Sequence, residues 1–128
     1  MSNMQQRRRR AHLDQRLWRA RRYIDTNFAQ NPTLEEIAAN AFLSAAHFLR
    51  QFKLAFGVTP HQYLTQRKLD HAQDLLLQTH QPITDIVFSC GFGNCSAFSR
   101  LFRKECGCSP REFRQQSVHR VERYAASA

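Results

Sequence analysis

Two stretches of this chain repeat one another, and the repeat leaves few folds open. Leu34-Glu35-Glu36-Ile37 matches Ile83-Thr84-Asp85-Ile86 at an offset of 49. A one-residue insertion near the second turn moves the offset to 50. Phe42, Arg50, Phe52, Lys53, Gly57, Pro60 and Tyr63 then fall on Phe92, Arg100, Phe102, Arg103, Gly107, Pro110 and Phe113. The shared skeleton is a short helix, a turn, a longer helix, a glycine, Ser/Thr-Pro and an aromatic residue. Two copies are too few for a solenoid, which needs about three. They describe two small helix-turn-helix units within one chain.

Apolar spacing supports an all-α fold with about seven helices, and no stretch alternates for long enough to make a strand. Leu13, Leu17, Ala20, Ile24 and Phe28 form one stripe, which predicts a first helix over about 13–29. Asn31-Pro32 ends it. Thr33 and Glu36 have capping-box spacing for a short helix over about 33–41. Ser44 is the N-cap candidate for a helix ending at Gly57, a residue suited to a left-handed C-terminal position. Thr59-Pro60 opens a helix over 60–78, about 28 Å long at 1.5 Å per residue. The pattern then starts again: 83–89, a turn at Gly91 and Gly93, a helix from Asn94 to Cys106, a stop at Gly107, and a last helix from Ser109-Pro110 through Phe113. The expected organisation is a basic flexible arm (1–12), a first subdomain (13–59), a linker helix (60–78), a second subdomain (79–120) and a frayed tail (121–128).

Charge narrows the function. Lys and Arg number 19 against 10 Asp and Glu, a net of +9, which favours a polyanionic partner. The excess is uneven: residues 1–30 carry eight basic and two acidic side chains, 31–80 carry four of each, and 81–128 carry seven against four. The densest run, Arg7, Arg8, Arg9 and Arg10, is expected to be a mobile arm that either touches phosphates or is simply solvated. No apolar run approaches the ~20 residues that span a bilayer, and no apolar stretch marks a signal peptide. A cytoplasmic protein is therefore expected, with no membrane partner. In a helix-turn-helix the second helix enters the major groove, and two such helices in one chain would read grooves about 34 Å apart. The 44–56 helix carries Arg50 and Lys53 with no acid; the 94–105 helix carries Arg100, Arg103 and Lys104 against Glu105.

Gly91-Phe92, then Phe98-Ser99-Arg100-Leu101-Phe102-Arg103-Lys104, then Gly107-Cys108-Ser109-Pro110 and Phe113-Arg114 resemble the signature of AraC/XylS-type transcriptional regulators. Tyr63-Leu64, Arg67, Leu69, Ala72 and Leu75-Leu76 resemble that family's linker helix, so the resemblance covers roughly residues 15–115. It implies base contacts from Ala46, Leu49 and Arg50 in the first unit and from Cys95, Ser96, Ser99 and Arg100 in the second. It also implies the family's stand-alone type, a monomer on double-stranded DNA without an effector domain, recruiting RNA polymerase as an activator. Two departures are visible. Ala45-Ala46 puts small side chains where a longer base reader often stands, and Phe42-Leu43 replaces the glycine of the first turn.

Residue chemistry divides the remaining roles. Arg100 can fork onto guanine O6 and N7, and Arg50 is its counterpart. Lys53, Arg103 and Lys104 suit phosphates. Thr33 and Thr84 begin the short helices, where backbone N–H groups could also hold a phosphate; the competing roles are capping for Thr33 and plain surface for Thr84. Phe48, Phe52, Phe98 and Phe102 recur four apart and read as core, and Trp18 as packing at the core edge. The cysteines at 90, 95, 106 and 108 lack zinc-site spacing, since Cys95 and Cys106 lie about 16 Å apart along one helix. No cofactor, metal or catalytic group is expected, and no nucleophile–base pair or phosphate loop suggests an enzyme. The competing reading is a basic helical adaptor that binds another protein without reading DNA sequence.

Overall fold

The computed structural model describes residues 2–116. All regular structure among them is helical: α1 (Ser2–Asn27) with a closing 3-10 turn (Phe28–Gln30), α2 (Leu34–Ala39), α3 (Ala45–Phe56), α4 (Pro60–Gln78), α5 (Ile83–Ser89), α6 (Cys95–Cys106) and a helix α7 over 110–116. The chain divides between Arg67 and Lys68 into two compact units. The expected tail at 121–128, with residues 117–120 of the second subdomain, lies outside the described residues.

In the first unit, α1 contributes Leu17, Ala20 and Ile24 to the core, α2 and its exit contribute Ile37, Ala38 and Ala41, α3 contributes Phe48 and Phe52, and α4 contributes Leu64. The capping box at Thr33 is present: the Glu36 N–H donates to Thr33 Oγ1 (3.1 Å) and the Thr33 N–H to Glu36 Oε2 (3.2 Å). Ser44 Oγ accepts the His47 N–H at 3.2 Å, which starts α3, and Gly57 ends that helix at φ +79°. Arg21 lies over the rings of Trp18, Phe56 and Tyr63, each about 5 Å from its guanidinium carbon. The Tyr63 hydroxyl donates to Asp25 Oδ1 (2.5 Å) and accepts from Arg21 Nε (3.0 Å). Burial and the Asp25 carboxylate push that phenol above its ordinary pKa, against the opposing pull of Arg21.

The second unit repeats this core at every position but that of Leu64. Leu69, Ala72 and Leu76 of α4 stand for Leu17, Ala20 and Ile24; Ile86, Val87 and Cys90 stand for Ile37, Ala38 and Ala41; Phe98 and Phe102 stand for Phe48 and Phe52. The repeat is thus a three-helix unit, and α4 plays in the second the part that α1 plays in the first. Asn94 caps α6, accepting from the N–H groups of Ser96 (2.8 Å) and Ala97 (3.1 Å), and Gly107 closes it at φ +80°. Both restarts after these glycines are capping boxes, Thr59 with Gln62 and Ser109 with Glu112. Arg114 donates to the carbonyls of Leu76 (3.0 Å), Thr79 (3.3 Å) and Gln81 (2.8 Å), covering acceptors that the end of α4 leaves open.

Two boundaries differ from expectation. The first helix starts earlier than residue 13, because α1 runs back to Ser2 through the segment expected to be a flexible arm. Gln, Arg, Met and Ala are strong helix formers, and extending an existing helix adds a hydrogen bond for each residue fixed. The 60–78 helix has its expected bounds and packs Leu64 in the first core and Leu69, Ala72 and Leu76 in the second. The inserted residue of the second copy is Gly93. Phe42 and Gly91 occupy the same left-handed position (φ +54° and +91°), each donating to a carbonyl three residues back. Leu43 and Phe92 follow them, each donating to a carbonyl five residues back, which is the Schellman pattern. Phe42 therefore matches Gly91, and Phe92 matches Leu43.

Among the described residues no group of three or more metal-ligating side chains occurs. Cys90 is buried in the second core, which pushes its thiol up to about 11. Burial likewise raises the Cys106 thiol, whose Sγ accepts from Gln73 Nε2 at 3.0 Å. Titration with a thiol reagent at pH 8 is expected to label Cys95 and Cys108 first, Cys106 later, and Cys90 only on unfolding. Early labelling of Cys90 would show that the second core opens without global unfolding.

Candidate nucleic-acid interface

The helical repeat of 3.6 residues puts positions three, four and seven apart on one face. In α3 that rule groups Ala46, Leu49, Arg50 and Lys53, all of them exposed, away from the buried Phe48 and Phe52. In α6 it groups Ser96, Ser99, Arg100 and Arg103, again all exposed and away from Phe98 and Phe102. The two sets are the same four positions of the repeat. Lys104 is exposed at the margin of the α6 face, and Glu105 falls on the opposite side of that helix. Each face therefore carries positive charge with no acidic residue in it.

Cys95, expected among the base-contacting residues, opens α6 one turn before Ser99, at the inner margin of the α6 face. It is partly buried and packs against the second core with Leu101 and Cys106. Its counterpart in the first repeat is Ala45, also partly buried, so this position belongs to the inner side of the helix. Thr33 serves the capping box, and Glu35 and Glu36 crowd its end of α2 with negative charge. A phosphate there would compete with both carboxylates. Thr84 is exposed in the first turn of α5, whose N-cap Pro82 makes no side-chain cap. Arg7, Arg8, Arg9 and Arg10 are exposed on α1, and four consecutive helical residues point in four directions, so the run forms no single stripe.

Sequence reasoning missed the side chains that fix the two turns. Arg16 of α1 donates from Nε to the Ala41 carbonyl and from Nη2 to the Phe42 carbonyl, both at 2.6 Å. Lys68 of α4 donates to the Gly91 carbonyl at 3.3 Å, with its ammonium 5.3 Å from the centre of the Phe92 ring. Burial lowers the Lys68 pKa. Arg16 and Lys68 are equivalent positions, each one residue before the leucine that opens its core, so a comparison of α1 with α4 would have found them.

Residues 37–116 match the family described as a helix-turn-helix domain. Over 102 residues the chain is 42% identical to the HTH-type transcriptional activator RhaS of Klebsiella pneumoniae strain 342, covering 80% of this chain and 37% of RhaS. The chain thus spans a little over a third of the length of that relative. A transcriptional regulator from Chromobacterium violaceum, of the AraC-type DNA-binding-domain group, is similar in structure (TM-score 0.76, 30% identity, 81% of this chain and 93% of that one). The DNA-binding domain of AdpA, a global transcriptional factor, in complex with a target DNA is similar too (TM-score 0.77, 27% identity, 82% and 95%).

Proposed function

The chain belongs to the AraC-type helix-turn-helix family of transcriptional regulators, and from that premise we propose that it reads double-stranded DNA with α3 and α6 in successive major grooves. The observation that carries this reading is the recurrence of one exposed, acid-free face at the same four positions of both repeats. Arg100 and Arg50 are the base readers, joined by Ser96 and Ser99 in one unit and by Ala46 and Leu49 in the other. Lys53, Arg103, Lys104 and Thr84 hold phosphates. One chain supplies both reading helices, so it acts as a monomer on an asymmetric pair of half-sites. It activates transcription by recruiting RNA polymerase, in keeping with the activator RhaS.

Selection on random duplex DNA tests this directly. Two dissimilar half-sites about one helical turn apart are expected, with log affinity falling linearly against log salt. Replacing Arg7 to Arg10 by Gln is expected to weaken binding to every sequence alike and to flatten that salt slope, leaving the selected sequence unchanged. Affinity independent of sequence at moderate salt would overturn the regulator reading, and no binding even at low salt would favour a protein-binding adaptor.

A further inference from the structure

The turn before α3 holds a residue that the fold has no use for. Phe42 has left-handed backbone geometry at φ +54°, which a Cβ makes unfavourable, and its side chain is 72% exposed. The second unit makes the same turn with Gly91 and none of that strain. The two turns share the same pair of backbone hydrogen bonds, and each has a cation on a carbonyl: Arg16 on those of Ala41 and Phe42, Lys68 on that of Gly91. The hydrophobic anchor of the first turn is Leu43, which packs on the core. The ring of Phe42 thus carries a conformational cost with little burial in return, and retained strain of this kind points to a task outside the fold.

Its position names the task. Phe42 stands two residues before Ser44, the N-cap of α3, and the N-terminal end of a recognition helix is the part that meets base edges. Beside it, the reading face of α3 is apolar at Ala46 and at Leu49, which is 39% exposed, whereas α6 presents Ser96 and Ser99 at those positions. In the major groove the apolar feature of a base pair is the thymine methyl group. We propose that Phe42 is a DNA-contacting residue whose ring lies on a thymine methyl in the half-site read by the first unit. This rests on the DNA-reading function proposed above and makes that half-site the one recognised by apolar contact.

The test combines two protein variants with methyl deletion in the DNA. Phe42→Gly and Phe42→Asn both suit a left-handed position, so both are expected to melt at or above the wild-type temperature. On the selected duplex both are expected to bind about tenfold more weakly. Replacing single thymines by deoxyuridine should reveal one position where the wild type loses affinity and Phe42→Gly loses nothing further. Undiminished affinity of Phe42→Gly would overturn the proposal and leave the ring to a protein partner. So would a lower melting temperature for both variants, which would return the ring to the fold, or the absence of any such thymine. If the wild type itself selects no sequence, the DNA-reading function and this contact fall together; if it selects one that Phe42→Gly binds equally, only the contact falls.

Discussion

Truncating Phe102 to alanine is expected to cost about 3–5 kcal/mol, enough to unfold the second unit at moderate temperature. The side chain is fully buried, and its ring sits 5.6 Å from that of Phe98 and 5.5 Å from that of Phe113. The walls around it come from three helices, so the void cannot collapse by shifting one of them. Trp18, the only tryptophan, packs edge-on against Phe56 at 5.2 Å and reports on the first unit alone. In urea, Phe102→Ala is therefore expected to lower the midpoint seen by far-ultraviolet circular dichroism more than the midpoint seen by Trp18 fluorescence. Phe52→Ala should move the fluorescence midpoint instead. Coincident shifts in both variants would mean that the two units unfold as one.

The largest effect on binding is expected from Arg100→Ala. A bidentate contact with guanine is worth about 1–3 kcal/mol of discrimination, or roughly five- to 150-fold on the selected duplex. The loss should be confined to that duplex, with preference relaxed at one base pair. Lys53→Ala, at a proposed phosphate contact of the α3 face, should instead weaken all sequences alike and lower the salt slope by about one. Isothermal titration or fluorescence anisotropy at three salt concentrations separates the two outcomes. Identical behaviour of the two variants would remove the division between base readers and phosphate holders.

Most helix boundaries were legible because each carries local chemistry. Thr33 with Glu36, Ser44, Asn94 and the left-handed Gly57 and Gly107 all act within a few residues of themselves. The start of α4 followed from Thr59-Pro60 in the same way. What escaped was non-local. The equivalence of α1 and α4 rests on Leu17 with Leu69 and Ala20 with Ala72, two small matches at an offset of 52 that differs from the 49 and 50 found elsewhere. The insertion was misplaced because phenylalanine occurs at both 42 and 92, and only the backbone hydrogen bonds reveal that the first is a turn residue and the second an anchor. The start of α1 was missed since residues before Leu13 have no apolar stripe to follow. The two exposed faces were legible through spacing, whereas the partial burial of Cys95 shows only in the packing that it shares with its counterpart Ala45.

The helix from Pro60 to Gln78 belongs to both cores, and this limits how the molecule can be cut or recombined. A fragment ending before Pro60 loses the Leu64 wall and the Tyr63 hydroxyl that ties Asp25 to Arg21. A fragment beginning after Gln78 loses Leu69, Ala72 and Leu76, three of the eight buried residues of its core. Transplantable modules must therefore overlap in sequence, one running through Gln78 and the other starting at Thr59 with its cap. Chimaeras that exchange one unit between relatives should be joined inside the shared helix between Leu64 and Leu69, where each core comes whole from one parent, because a junction near Asn31-Pro32 parts Leu17, Ala20 and Ile24 from the rest of the first core and one near Gln81-Pro82 parts Leu69, Ala72 and Leu76 from the rest of the second.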